Sequence, residues 1–232
     1  MSGEAPVVAV DGPGGSGKGT VCRALQRRLG WHLLDSGAIY RALAVAAQRR
    51  GLDAGRVGDL VGLAHDLDVA FEAVPDSEPV VRVDGEDVSA ELRTETTGNL
   101  ASRLAAIPEI RAALMERQRR FRRLPGLVAD GRDMGTVVFP DAGLKIFLTA
   151  SAEERARRRH KQLKEQGVGG NLSTLLREIN ERDARDASRA VAPLIPAEDA
   201  VVIDTTDLTI DAVVERVMTL LRRKSGSQDR GG

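Results

Sequence analysis

The sequence predicts an α/β protein: a three-layer, doubly wound parallel sheet with an inserted small antiparallel sheet and a mobile helical arm. The main evidence is that short apolar runs alternate with stretches of helical periodicity along most of the chain. A glycine-rich loop also separates the first apolar run from the first helical stretch. Finally, alternating apolar residues on both sides of Asp84-Gly85 indicate a separate antiparallel hairpin.

The first elements follow one another closely along the chain. Residues 6–11 form a short apolar run that predicts a buried strand. From Lys18 the apolar spacing is helical, until Gly30 ends the helix. A second strand is predicted at 31–34, and an alanine-rich helix at 39–50. This order of strand, glycine loop and helix places the loop at the carboxyl edge of the sheet.

The middle of the chain has a different pattern. Apolar residues alternate between positions 67 and 88, which predicts the small antiparallel insertion. Helical spacing returns over 94–122 with an interruption at Pro108. Further buried strands are predicted at 127–129, 145–148 and 200–203. The predicted organisation is a core at 1–36, 99–150 and 190–224, an insertion at 37–98, a lid at 151–189 and a disordered tail at 225–232.

Composition and charge limit the classes of partner. The 34 basic residues balance the 34 acidic ones, so no overall field attracts nucleic acid or anionic lipid. The single cysteine forms no internal disulfide, and no apolar run suits a signal peptide or a membrane span. We therefore expect a cytoplasmic monomer without a nucleic-acid or membrane partner.

The glycine-rich loop matches a phosphate-binding motif. Residues 12–18 fit G-x-x-x-x-G-K, placed after a strand and before a helix as that motif requires. Its backbone N–H groups and the helix N-terminus face phosphate oxygens, and the lysine reaches the outer phosphates. The predicted nucleotide-binding residues are Gly12, Pro13, Gly14, Gly15, Ser16, Gly17, Lys18, Gly19 and Thr20.

The residue after the lysine departs from the common form of this motif. Gly19 replaces the hydroxyl residue that usually binds Mg²⁺, and Thr20 comes one position later. We expect Thr20 to reach an inner phosphate, while the triphosphate, water and a carboxylate hold the metal. The G-K-G-T spelling resembles that of nucleoside monophosphate kinases.

Two motifs that follow predicted strands supply candidates for a second phosphate. Ser36 and Arg41 follow the strand at 31–34; alternatively, Ser36 is only a helix N-cap. Asp130, Arg132 and Asp133 follow the strand at 127–129. Arg132 is expected to hold phosphate, Asp130 to polarise metal-bound water and Asp133 to face the acceptor. Alternatively, these three residues form only a structural salt-bridge turn.

A third cluster lies further along the chain. If the helix before it continues, positions 182, 185, 186 and 189 share one face, spanning about 10 Å at helical rise. That span suits phosphates lined up between a donor and an acceptor, although a solvated ionic ladder is the alternative. The arginine-rich stretch 153–159 and the turn 167–170 indicate a mobile arm that closes over the phosphates. For its individual arginines a solvated position is expected.

Together the motifs resemble those of bacterial cytidylate kinases, a family of nucleoside monophosphate kinases built on a P-loop. The resemblance rests on DGPGGSGKGT at 11–20, WHLLDSGAIYR at 31–41, ADGRDMGTVVFPDA at 129–142 and RDARDASRAVAPLIPA at 182–197. It implies ATP and Mg²⁺ as the donor complex and CMP or dCMP as the acceptor. We expect direct in-line transfer of the γ-phosphoryl group, without a covalent enzyme intermediate.

The resemblance further implies roles for individual residues. Ser36, Arg41 and Arg132 correspond to acceptor-site residues, Ser102, Arg111 and Asp133 lie near the cytosine, Arg182 and Asp186 contact the ribose, and Arg189 belongs to the same site. The catalytic cations are Lys18, Arg132, Arg182 and Arg185. Cytosine has an amino donor at N4 and acceptors at N3 and O2, whereas uracil reverses the pattern at N3 and position 4. UMP is therefore expected to be a poor substrate.

Two other functions remain open from the residues alone. One is a P-loop kinase for another small molecule, such as a sugar or shikimate. The other is a regulatory or nucleic-acid-binding module that holds ATP only as a ligand. A catalytic requirement for CMP distinguishes the expected function from both.

Overall fold

The computed structural model describes residues 4–72, 74, 79–165, 167 and 169–228. The chain divides into two compact units, the first formed by Met1–Leu34 with Arg119–Gly232 and the second by Asp35–Gln118. No helix within the described ranges is long and apolar enough to cross a bilayer.

The elements alternate in the order that the sequence predicts. The strands are β1 (Val7–Asp11), β2 (His32–Asp35), β3 (Val69–Glu72), β4 (Val80–Val83), β5 (Glu86–Asp87), β6 (Leu127–Gly131), β7 (Leu144–Thr149) and β8 (Val201–Asp204). The helices are α1 (Lys18–Leu29), α2 (Ser36–Arg49), α3 (Val57–His65), α4 (Ser89–Leu92), α5 (Glu95–Leu104), α6 (Pro108–Arg119), α7 (Ala152–Glu165), α8 (Leu172–Ala187) and α9 (Ile210–Gln228). A five-residue π-helix, Met134–Val138, follows β6.

The parallel sheet confirms the predicted fold class. In the described part of the chain it has five strands in the order β2-β6-β1-β7-β8. Every residue of β1 and of β6 is buried, so both faces of the central strands are covered, as in other parallel sheets. One face packs on α1 and α9 through Val10, Leu25 and Val217, and this layer also contains the fully buried Cys22.

Strand register places several loops at one edge of this sheet. Asp11 at the end of β1 aligns with Gly131 at the end of β6 and with Phe147 near the end of β7. All three strands run in parallel. The glycine loop after β1, the loop after β6 and the segment after β7 therefore leave the sheet side by side.

The second unit contains the predicted antiparallel hairpin. Strands β3, β4 and β5 form a small antiparallel sheet. Asp84 and Gly85 connect β4 and β5 with φ angles of 50° and 80°. Two consecutive positive φ angles are typical of a type I′ turn, in which an Asp-Gly pair is favoured. The hairpin prediction is confirmed.

Three boundaries differ from the sequence prediction. The side chain of Asp35 caps α2 by accepting from the N–H of Ala38, so Ser36 is the first helical residue and not the N-cap. The second unit extends to Gln118 and not only to residue 98, since α5 packs on α2. Helix α9 continues to Gln228, because each added residue of an existing helix gains a hydrogen bond. Of the predicted tail, residues 229–232 lie outside the described residues.

Candidate phosphate-binding site

The glycine loop has the conformation of a phosphate cradle. Gly12 has φ +145°, and a Cβ at this position would lie 2.0 Å from the carbonyl oxygen of Leu148. Only glycine fits there. The loop is closed internally by Ser16, whose Oγ donates to the carbonyl oxygen of Pro13 at 2.9 Å. Helix α1 starts directly after Gly17, so its unbonded N–H groups face the loop.

Lys18 crosses the loop beside a carboxylate from the neighbouring strand. Its Nζ donates to the carbonyl oxygen of Pro13 at 3.2 Å and lies 3.7 Å from Oδ1 of Asp130. Both side chains are almost completely buried. A Cβ at Gly19 would lie 3.5 Å from Oδ2 of Asp130. The carboxylate predicted to serve the metal therefore lies next to the position where the motif usually has a hydroxyl.

The donor set at this place fits a Mg²⁺ ion that keeps most of its water. Among the described residues, no cluster of three or more His, Cys, Asp or Glu side chains forms a complete metal site. Mg²⁺ is commonly held by one or two carboxylates together with water and substrate phosphates. Asp130 beside Lys18 and Gly19 supplies one such carboxylate.

Two arginines from distant parts of the chain converge on Gly14. A Cβ at Gly14 would lie 3.5 Å from Nη2 of Arg132 and 3.9 Å from Nη1 of Arg182. Arg132 follows β6, whereas Arg182 lies on α8. The two guanidinium groups therefore lie beside the glycine loop, and their role toward phosphate stays a prediction.

Asp186 is the buried anion among these arginines. It is 1% exposed, accepts from Nε of Arg132 at 3.1 Å and is also hydrogen-bonded by Arg189. Burial alone would raise the pKa of Asp186, but the charges of Arg132, Arg189 and Arg182 lower it below the ordinary value. The alternative of a solvated ionic ladder is wrong for this residue. Helix α8 does continue through 182, 185 and 186, and Arg189 lies just after its C-cap, Ser188.

The loop after β6 is held by Asp11, which the sequence analysis did not identify. The two carboxylate oxygens of Asp11 accept from the backbone N–H groups of Met134 at 2.7 Å and Gly135 at 2.8 Å. These residues begin the π-helix immediately after Arg132 and Asp133. Burial raises the pKa of Asp11 to about 6, against the opposing effect of the two hydrogen bonds. The sequence did contain a signal for this role, because Asp11 is a charged residue at the end of an otherwise apolar strand.

Two further arginines were missed. Arg155, expected to be solvated, is 4% exposed and donates from Nη1 to the carbonyl oxygen of Gly14 at 3.1 Å. Arg158 donates from Nη2 to the carbonyl oxygen of Thr205 at 2.6 Å, and Oγ1 of Thr205 donates to the carbonyl oxygen of Ser16 at 3.0 Å. Arg157 is exposed, as expected. A run of arginines on one helix does not reveal which of them points inward.

The remaining predicted residues of the first unit differ in how far they are buried. Asp133 is 4% exposed and precedes the π-helix. Arg185 is half-buried on α8, and Thr20 is exposed on α1. Pro13 and Gly15 belong to the glycine loop itself, where Cβ of Arg155 lies 3.0 Å from a Cβ placed at Gly15.

Four of the predicted acceptor residues lie in the second unit. Ser36, Ser102 and Arg111 are each at most 5% exposed, which is unusual for polar side chains on helices. Arg111 donates from Nη1 to the carbonyl oxygen of Ala105 at 3.2 Å, and Arg41 donates to that of Leu92 at 3.1 Å. Their role toward an acceptor stays a prediction.

Comparison with known proteins identifies the family. The family profile described as "Cytidylate kinase" matches residues 8–223. The chain belongs to the cytidylate kinase family. A cytidylate kinase from Klebsiella pneumoniae (strain 342) is 57% identical over 224 residues, which cover 97% of this chain and 98% of that protein. One from Aeromonas salmonicida (strain A449) is 58% identical over 223 residues, which cover 96% of each.

Structural comparison extends the likeness of the fold beyond close relatives. The crystal structure of an uncharacterized protein from Eubacterium ventriosum ATCC 27560 matches with a TM-score of 0.50 at 13% identity. The match covers 95% of this chain and 99% of that one. At this identity the match supports the fold alone. The resemblance to cytidylate kinases stated from the motifs is confirmed by the family profile and by the curated relatives.

Proposed function

We propose that the protein transfers the γ-phosphoryl group of ATP to CMP or dCMP, giving ADP and CDP or dCDP. The observation that carries this proposal is the convergence of Arg132 and Arg182 on Gly14, beside the buried Lys18. A loop that only binds ATP needs cations for the donor phosphates alone. When an acceptor phosphate approaches the γ-phosphate, further cations are needed to neutralise the repulsion between the two. Membership of the cytidylate kinase family supports the choice of acceptor.

Phosphoryl transfer at this site depends on positioning and charge neutralisation. The loop amides and Lys18 hold the outer phosphates of ATP, while Arg132, Arg182 and Arg185 neutralise the charge that spreads over the transferring group. The acceptor phosphate is already anionic at neutral pH, so it attacks in line without a general base. Closure of the predicted arm over the phosphates would also limit the access of water, the competing acceptor.

Mg²⁺ would be held through Asp130. When bound, such an ion would neutralise part of the charge on the outer phosphates. Asp130 is adjacent to Lys18 and Gly19, so its carboxylate would help to hold the ion beside the glycine loop. Gly19 leaves room beside this carboxylate where a serine or threonine stands in other P-loops.

The acceptor's base and sugar are assigned to buried polar groups. Asp133 accepts from the cytosine amino group, Arg111 donates to N3 and O2, and Ser102 lies near the base. Asp186 accepts from a sugar hydroxyl, which requires a carboxylate that stays ionised, and its lowered pKa supports this role. The other acceptor contacts in the proposal are Ser36, Arg41, Arg182 and Arg189. The lid at 151–189, the cytoplasmic location and the monomeric state remain predictions.

The test is an assay of ADP release with a panel of acceptors. CMP and dCMP should support turnover, UMP should support it poorly, and shikimate and gluconate should not support it. Turnover with an alcohol acceptor but not with CMP would favour another small-molecule kinase. The absence of ADP release with every acceptor would favour a module that holds ATP only as a ligand, and ADP release independent of any acceptor would indicate an ATP hydrolase and contradict the proposal.

A further inference from the structure

Arg155 contacts three separate elements at once. Its Nε donates to the carbonyl oxygen of Ala150 at 3.0 Å, directly after β7. Its Nη1 donates to the carbonyl oxygen of Gly14 in the glycine loop at 3.1 Å. Both terminal nitrogens bind the carboxylate of Asp183 on α8, Nη1 to Oδ1 at 3.1 Å and Nη2 to Oδ2. A single side chain that is 4% exposed thus connects β7, the glycine loop and α8.

Asp183 lies in the part of α8 that is next to the glycine loop. It follows Arg182, whose guanidinium lies beside Gly14, and precedes Asp186 by three residues, nearly one helical turn. Through Arg155, Asp183 on α8 is therefore linked to the carbonyl group of Gly14 in the glycine loop. Its carboxylate is directed to Arg155, whereas Asp186 is directed to Arg132.

We propose that Arg155 and Asp183 are a positioning pair that fixes α8 on the glycine loop and thereby places Arg182 against the transferring phosphoryl group. The pair acts through Arg182 and through the carbonyl group of Gly14, and neither member contacts the reacting atoms. Only a planar guanidinium binds a carboxylate bidentately while its remaining N–H groups reach two carbonyl oxygens. The single ammonium group of a lysine at position 155 could bind one of these acceptors. It could not bind both carboxylate oxygens of Asp183 and both carbonyl oxygens at once.

The inference rests on the proposed cytidylate kinase activity, and the experiment separates the two. The parent enzyme, Arg155→Met, Asp183→Asn and the double variant are assayed for CMP-dependent ADP release. Thermal unfolding and ADP binding are measured for each. The matched control is Arg157→Met on the same helix, because Arg157 is exposed and pairs with Glu154 three residues earlier. If the parent and the control lack CMP-dependent turnover, the proposed function fails. The pair is judged only when both are active.

Each single variant should lower kcat roughly tenfold. This is the loss expected when a misplaced Arg182 makes about one hydrogen bond fewer to the transition state. The KM for CMP should change less than twofold, and the double variant should be no slower than the slower single variant. Asp183→Glu should recover part of the loss. Losses that multiply in the double variant, a change confined to KM, or full activity of either single variant would overturn the proposal.

A second measurement distinguishes positioning from general stability. Asp183→Asn is introduced into Arg182→Lys, a background with a weakened phosphate contact. If Asp183 acts through Arg182, the additional loss of kcat should fall to about twofold or less. An equal loss in both backgrounds would indicate a merely structural role and contradict the inference. If Arg155→Met does not fold, Arg155→Lys replaces it in the same cycle, with the same criteria.

Discussion

The amino nitrogen of Lys18 lies 3.7 Å from Oδ1 of Asp130, and both side chains are almost completely buried. An ion pair of this kind is costly to bury and contributes little to stability by itself. Because the pair lies between the glycine loop and the candidate metal position, we expect it to serve ligand binding and not stability. In the proposed function, the lysine contacts the anionic phosphates of the donor and the carboxylate contacts the cation that accompanies them.

Lys18→Ala should abolish most of the activity while the fold persists. The substitution removes the cation that reaches the outer phosphates, and the expected decrease in kcat is roughly 100-fold or more. The measurement is CMP-dependent ADP release, with circular dichroism to verify folding. Lys161→Ala is the control, because Lys161 is exposed on α7. Full activity of Lys18→Ala would contradict the phosphate role.

Gly12→Ala should destabilise the protein strongly. A methyl group at this position would lie 2.0 Å from the Leu148 carbonyl oxygen, and the φ of +145° disfavours any side chain. The free energy of unfolding should decrease by several kcal/mol, roughly 3 or more. Urea denaturation measures the change. Gly58→Ala is the matched control: Gly58 lies in α3 with open space around it, and alanine there should be neutral or stabilise by about 0.5–1 kcal/mol.

Asp11 should make folding stability depend on pH. Because burial raises its pKa from 3.8 to about 6, the folded state binds the proton more tightly than the unfolded state does. Its stabilising contribution is full below pH 3.8 and decreases as the pH rises through 6. The difference in unfolding free energy between the parent and Asp11→Asn should therefore decrease by roughly 2–3 kcal/mol between pH 4 and pH 7.

Urea titrations at several pH values test this expectation. The Asp11→Asn variant has no ionisable group at this position but keeps all other titrating residues. Subtracting its unfolding free energy from that of the parent therefore isolates the contribution of Asp11. A constant difference between the two proteins over the range would contradict the raised pKa.

Asp133→Ala should weaken the discrimination between pyrimidines. The proposed carboxylate favours the amino group of cytosine and repels the carbonyl oxygen of uracil. Its removal should lower the ratio of kcat/KM for CMP to that for UMP by at least about tenfold. Steady-state assays with both acceptors give this ratio. Should the ratio stay unchanged, another group must recognise the base.

The sheet and the glycine loop were predictable because their signals are local. Short apolar runs, the spacing from Gly12 to Lys18 and the Asp84-Gly85 turn each lie within a few consecutive residues. The cap of α2 was not: aspartate and serine are equally good N-caps, and adjacent candidates cannot be ranked from the sequence.

The buried charges were the hardest part to predict. Asp11 binds N–H groups that lie 123 and 124 residues further along, and Arg155 pairs with an aspartate 28 residues away. Periodicity reveals which face of a helix is apolar, but it does not reveal which charged residue has a distant partner. The same limit applies to the unit boundary, because the sequence does not indicate which neighbour an amphipathic helix packs on.

The position of Cys22 has a practical consequence for experiments on this protein. It is the single cysteine of the chain, and it is fully buried in the layer between α1 and the sheet. A thiol that solvent does not reach reacts slowly with maleimides and oxidants. The natural sequence therefore already serves as an unreactive background, in which fluorophores or spin labels can be attached to cysteines introduced on the outer faces of α7 and α8.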